Sequence, residues 1–153
     1  MRRIARDDRG TSTMEFALIL PVLVLLLVGI VDIARALNAY IVVGSASQEG
    51  ARYAIVNPTA APSAIASAAR TRAEPLNTAS LAITAEYYDN AAATFRPWPS
   101  AGIPASSPNT TGVLVRISAS YPWSAVSAVA GTFFSGGSGS ATLTTSSLME
   151  ARR

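Results

Sequence analysis

The stretch RDDRGTSTMEFALILPVLVLLLVGIV, Arg6 to Val31, decides how the rest of the chain is read. From Ala17 to Val31 there are fifteen residues without a charge. As a helix that run spans roughly 22 Å at about 1.5 Å per residue, short of the roughly 30 Å hydrocarbon core of a bilayer. Met14 and Phe16 lengthen it on one side, and Ile33, Ala34, Ala36 and Leu37 on the other. It is long for the apolar core of a signal peptide and slightly short for a plain membrane helix. Arg2, Arg3, Arg6 and Arg9 precede it, and no cationic cluster follows it closely, which places the N-terminus on the cytoplasmic side. Pro21 removes one backbone hydrogen bond and is expected to bend the helix. Glu15 stands at the mouth of the run, where a carboxylate costs insertion energy.

Three readings compete for this stretch. Ala34-Arg35-Ala36 satisfies the small-x-small rule of a cleaved secretory signal. A simple uncleaved anchor is the second reading. The third takes Gly10 and Glu15 together: a short charged leader closes in Gly10, and Glu15 stands fifth after it, followed by the aromatic Phe16. That arrangement resembles a type IV prepilin leader. The resemblance implies a cut between Gly10 and Thr11 by a prepilin-type peptidase on the cytoplasmic side, with the apolar helix left in place. The cut removes four Arg and two Asp and creates an ammonium at Thr11, one helical turn ahead of Glu15. The amine of the same subunit, or of a neighbour, can then neutralise the carboxylate. A buried ion pair adds little stability but can fix register between packed helices. The prepilin reading accounts for the most residues, and it is the one adopted here.

Beyond the apolar run, DIARALNAYIVVGSASQEGARYAIV (Asp32 to Val56) keeps a three-four spacing of apolar or small residues. They recur at Ile30, Ile33, Ala34, Leu37, Ile41, Gly44, Ala51 and Ile55, with Gln48 as an exception; the first half of the helix is expected in lipid, and the second half has one face available for a small domain. Arg35, Asn38, Ser45, Glu49 and Arg52 fall opposite. Asp32 with Arg35, and Glu49 with Arg52, are spaced as ion pairs. One helix from about Thr13 to Val56 is expected, stopped by Asn57-Pro58. The block from Arg9 to Val56 resembles the TadE-like family of pilus assembly proteins. The residues that carry this are Gly10 with Glu15-Phe16-Ala17-Leu18, Leu20-Pro21, Gly29-Ile30-Val31-Asp32, and Glu49-Gly50-Ala51-Arg52-Tyr53-Ala54. The terminal LTTSSLMEAR, Leu143 to Arg152, is similar to that family's closing strand. The resemblance implies a minor pilin or pseudopilin of the tight adherence (Tad) system, which builds Flp pili. Its implied partners are the membrane, the prepilin-type peptidase, other pilin-like subunits and the Tad inner-membrane machinery.

After Val56 the composition shifts to Ala, Ser, Thr and Pro. SAIASAARTRAEP, Ser63 to Pro75, reads as a short second helix with a Ser cap, bounded by Pro62 and Pro75. Leu81–Tyr88 and Val113–Tyr121 alternate as strands, and Ala141–Met149 is a weaker, Thr-rich one. Arg96 to Gly112, with four prolines, reads as a loop. Trp98 within it either touches a partner or folds back onto its own domain. Trp123 to Phe134 is apolar and reads as a short helix covering the sheet edge, serving as core filler, or as an exposed contact surface; the flexible SGGSGS of Ser135–Ser140 follows. The expected fold is α+β and pilin-like: a long N-terminal helix with a transmembrane half and an amphipathic half, a short second helix, and a small antiparallel sheet of about three strands. Residues 1–10 form the leader, 11–37 the membrane helix, 38–56 its continuation, and 57–153 an extracytoplasmic domain.

Of the 153 residues only 14% are charged, against about a quarter in soluble domains, in keeping with a membrane segment. The chain has no Cys, His or Lys. That excludes thiolate and Ser-His-Asp nucleophiles, HExxH zinc sites, Schiff bases and P-loops. Glu74, Glu86, Asp89 and Glu150 are the only candidates for a carboxylate pair, and they read as solvated surface acids. No basic patch interleaves with aromatics, so nucleic acid is not an expected partner. No enzyme activity, cofactor, metal or small-molecule substrate is expected. The rival reading is a secreted or membrane-anchored binding module, merely delivered by its N-terminus, with function in the Arg96–Gly112 loop and Trp98.

Overall fold

A computed structural model of the chain describes residues 8–103, 112–127 and 139–151. Helix α1 runs without interruption from Asp8 to Val56, through Pro21, and so starts a turn earlier than the apolar pattern suggests. Its end follows the expected stop signal. Asn57 donates both its backbone N–H (2.9 Å) and its side-chain amide (3.2 Å) to the Tyr53 carbonyl, and Pro58 follows.

The face of α1 that carries the domain overlaps the expected one only in part. The buried positions are Asp32, Ala39, Val43, Ala46, Ser47, Gly50, Ala51 and Ala54, a three-four series built mostly of small residues. Of the apolar series in the second half of the helix, Ala51 is buried and Gly44 and Ile55 are half-buried, while Ile41 is exposed; Ile30, Ile33 and Leu37, in the membrane half, are exposed as well. The reason is distance. A sheet and a second helix lie close on α1 only where its side chains are short, so the small-residue stripe is covered and the large apolar one is not.

Helix α2, Pro62–Arg72, packs on that stripe through Ile65 and Ala69. Its N-cap is Ala61, without a side-chain cap, and Pro62 stands inside the first turn. The expected Ser63 cap is therefore not made. Proline at the first helical position presets the backbone and lacks an N–H that would have no partner there.

The sheet has four antiparallel strands where about three were expected: β1 (Ala82–Asp89), β2 (Thr94–Pro97), β3 (Val113–Ser124) and β4 (Ser140–Ala151), in the order β2-β1-β3-β4. Strand β2 falls where the prolines suggest a loop. Proline is tolerated on an edge strand, and Pro97 occupies the outer edge. Asp89 accepts from the Ala91 N–H (3.0 Å), an Asx turn that starts the β1–β2 hairpin. Strand β3 runs past Tyr121 to take in Pro122, Trp123 and Ser124, paired along its whole length with β4. Trp123 is thus a buried strand residue; the remainder of the apolar segment, 128–134, lies outside the described residues. The alternation read from the sequence holds, with Val113, Val115, Ile117 and Ala119 buried on the inner face.

Gly50 lies where α1, α2 and β3 meet. A Cβ there would stand 3.1 Å from Ile117 Cγ2 and 3.3 Å from the Ala69 methyl. Gly50→Ala is expected to stay within about 1 kcal/mol of the parent, because the gain in helix propensity of about 1 kcal/mol offsets the crowding. Gly50→Val is expected to cost about 2–3 kcal/mol, since its branches cannot be accommodated between two packed elements. Thermal unfolding of the detergent-solubilised full chain reads both values, and equal stability of the two variants would contradict the packing described.

Candidate functional site

The N-terminal half of α1 is bare. Every residue from Gly10 to Val28 is exposed, and Phe16 is 63% accessible. The segment Gly10–Val56 is the one described helix long and apolar enough to cross a membrane by length and composition. Gly10 and Thr11 lie in the first turns of α1, at the exposed end that frays most readily. Residues 1–7 of the leader lie outside the described residues. Glu15 is exposed and makes no ion pair among the described residues. Gly10, Thr11, Glu15 and Phe16 are therefore placed within about 9 Å along one helix axis, at about 1.5 Å per residue, all clear of the folded domain.

At the junction between this bare segment and the domain stands a residue whose role the sequence reading missed. Asp32 is only 1% exposed. Its Oδ1 accepts from the Val126 N–H at 3.1 Å, and its Oδ2 from the Ser127 N–H at 2.8 Å. The expected pair with Arg35 is made as well, at 3.3 Å. The second expected pair, Glu49 with Arg52, is not formed among the described residues. Two main-chain donors just beyond the end of β3 thus close on one carboxylate of α1. Hydrogen bonds to an ionised acceptor are stronger than neutral ones. The available signal was an acid directly after an apolar run of membrane length, a position where a solvated side chain is easier to place than a buried one.

Trp98 faces inward. It is 5% exposed, belongs to the main core cluster, and donates its indole N–H to the Ala60 carbonyl at 2.9 Å. Of the two places weighed for it, the fold uses the inner one, and the partner-contact role is corrected: a ring buried among Ala54, Ile103 and Val113 has no face left for a partner. Its companion loop residues 104–111 lie outside the described residues.

The four acidic candidates do not converge on a cleft. Glu86 and Asp89 are three residues apart on β1 and so face opposite sides of the sheet. Each has its own arginine: Arg116 at 2.7 Å from Glu86, and Arg96 at 2.8 Å from Asp89. Arg116 also stacks over the Phe95 ring, 3.9 Å from its centre. Glu74 is exposed just beyond α2, and Glu150 is exposed on β4. Among the described residues no three metal-ligating side chains cluster.

These features define a class, an α+β protein strung on one long N-terminal helix, with the apolar half bare and the other half carrying the sheet. The family model described as TadE-like protein matches residues 10–52, and the chain is TadE-like over that helix. The match begins at Gly10 and ends at Arg52, so it covers the apolar run, Asp32 and most of the Glu49–Ala54 motif, and leaves the sheet outside. No curated protein and no solved structure matches the chain. With one candidate membrane helix among the described residues, near the N-terminus, it fits a Tad-related, membrane-anchored protein.

Proposed function

We propose that this chain is a non-enzymatic minor pilin or pseudopilin that takes part in assembly of a Tad-type (Flp) pilus. The observation that carries the reading is the coincidence of the TadE-like match with the bare helix bearing Glu15. The N-terminus faces the cytoplasm and the α+β domain lies outside the cytoplasmic membrane. A prepilin-type peptidase cuts between Gly10 and Thr11, and the new amine at Thr11 offers Glu15 a partner. A carboxylate at the bilayer centre costs about 2.5–3.5 kcal/mol on insertion scales, and less near an interface. A counter-charge from the same or an adjacent helix offsets part of that cost and favours one register of packing. Other pilin-like subunits and the Tad inner-membrane machinery are the partners on this reading.

The alternative, a delivered binding module, rested on Trp98 and its loop. The burial of Trp98 removes its best-supported contact residue.

The test is the mature N-terminus of protein purified from native membranes, read by mass spectrometry, together with Glu15→Gln. A start at Thr11 is expected. The Glu15→Gln variant is expected to insert in the membrane at the parent level and to lose pilus assembly. A start near Leu37, or full assembly by the Glu15→Gln variant, would overturn the reading.

A further inference from the structure

The two edges of the sheet are built differently. Strand β2 is four residues long and ends in Pro97. Because the Trp98 N–H turns inward to the Ala85 carbonyl at 2.9 Å, alternation leaves only the Phe95 N–H and the Phe95 and Pro97 carbonyls on the outer side. Arg96 stands on the same short strand. Short length, proline and charge are the usual means of blunting an edge. Strand β4 at the other edge has none of them over most of its length: SATLTTSSLMEA is twelve residues, without Pro or Lys, and its one charge, Glu150, is next to last. Among the described residues no strand pairs with its outer side.

Beside that edge lies a stripe of α1 that no described element covers. A groove runs between them, with Tyr40, Ile41, Gly44 and Gln48 on the helix side and Thr145 and Ser147 on the strand side. Tyr40 and Ile41 are 51% and 65% exposed. No charged side chain lines it. The Thr145 hydroxyl is buried in its wall without a hydrogen-bond partner among the described residues. Strand β4 already lays its inner side chains on α1. One more strand would complete the same two-layer pattern, its main chain on β4 and its inner side chains on Tyr40, Ile41 and Gly44.

We infer that the β4–α1 groove accepts an extended, uncharged strand with apolar residues at alternate positions, supplied by a different subunit. Main-chain pairing supplies affinity, and the apolar stripe selects the alternate side chains. The chain's own edges fit poorly. Asp32 holds the end of β3 at the membrane side of α1, while Val113 at the start of β3 packs with Ala54. Strand β3 therefore runs against α1, and β4 runs along it. Two copies anchored in one membrane would then present their β4 strands in parallel, the less stable pairing. Strand β2 runs the opposite way but offers only three main-chain groups. This orientation argument rests on the membrane anchoring proposed above; the groove itself does not.

The test uses the full chain in detergent micelles and a capped nine-residue peptide of alternating Thr and Val. Alternate amides of the peptide are N-methylated so that only one edge can pair. Saturable binding with Kd below about 100 μM is expected. Amide exchange should slow in residues 140–151 and not in 94–97. Ile41→Asp and Gln48→Arg, both at exposed positions, should weaken binding at least tenfold with an unchanged Tm, and a Thr-Glu peptide should fail to bind. Absence of saturable binding, or binding indifferent to both substitutions, would overturn the inference. A β4-mediated homodimer that the peptide cannot displace would overturn the assignment to a different subunit. The assay involves neither the peptidase nor a pilus, so its failure leaves the proposed function standing, and the reverse also holds.

Discussion

Gly102→Ala is expected to destabilise the α+β domain by about 3–5 kcal/mol, a large share of the roughly 5–15 kcal/mol that holds an ordinary domain together. Gly102 is buried with φ at +75°, in the left-handed region that a side chain rarely adopts. Its N–H bonds to the Pro99 carbonyl at 2.9 Å, closing a turn. The next residue, Ile103, donates to the Pro58 carbonyl at 2.7 Å, and Trp98 donates to Ala60. The turn from Trp98 to Ile103 therefore clasps the segment that leaves α1. A Cβ at Gly102 would overlap the main chain of Thr59, which cannot yield without breaking the clasp. Gly139 is the control. It has φ of +69° but no described atom within 4 Å of where a Cβ would stand, so Gly139→Ala is expected to carry only the conformational cost of about 1–2 kcal/mol. Thermal unfolding of the solubilised chain, with proteolysis probing residues 57–61, separates the two. Equal effects at both positions would sink the account of the clasp.

Asp32→Ala is the second large effect expected. Removing the carboxylate, itself 1% exposed, leaves the Val126 and Ser127 N–H groups without their acceptors at a part-buried site. Unsatisfied buried donors cost more than the bond itself is worth when made. A fall in Tm on the order of 5 °C is expected, with amide exchange accelerated first at Val126 and Ser127. Asp32→Asn keeps one carbonyl oxygen and should retain one of the two protected amides. Arg35→Ala, which leaves both bonds intact and removes only a half-exposed ion pair, should change little. Unchanged exchange at 126–127 in the Ala variant would show that the end of β3 is held by its sheet pairing and not by the helix.

Asp32 also gives the TadE-like match a physical content. The stretch 10–52 covers three tasks on one helix: the Gly10–Glu15 end, the bare apolar run, and the small-residue stripe on which the sheet sits. In Glu49-Gly50-Ala51-Arg52-Tyr53-Ala54, the residues that reach the core are Gly50, Ala51 and Ala54, with Tyr53 packed against it. That motif is a packing seat. Ile117 and Ala69 opposite leave Gly50 room for no more than a small side chain.

Local signals made much of the architecture legible. Fifteen uncharged residues can hardly be other than a helix or a strand too long for a domain, so α1 is evident from sequence. Asn57-Pro58 ends it because proline disfavours the helical conformation of the residue before it. Val113 to Tyr121 alternates so regularly that its buried face can be named in advance. Strand β2 escaped because four residues with a proline carry no periodic signal. The cap of α2 was misplaced because Pro62 and Ser63 offer competing local solutions, and only the surrounding chain selects between them.

Spatial neighbours decided the rest. Sequence alone determined that there is one long helix, where its apolar half lies, and which strand residues point together, because these follow from repeats of 3.6 and 2 within a segment. It did not determine which face of α1 the sheet would choose. Two neighbouring faces were available, one through Ile41, Gly44 and Ile55 and one through Ala39, Val43, Ala46 and Gly50, and the three-four count followed the first. Close approach of β3 and α2 selected the second, since the gap between packed elements is set by side-chain volume. For the same reason Asp32, which the sequence reads only as an ion-pair partner of Arg35, is buried: its further partners include main-chain groups of residues 126 and 127, more than ninety positions away. No local pattern announces a bond to a backbone that only the tertiary fold brings near.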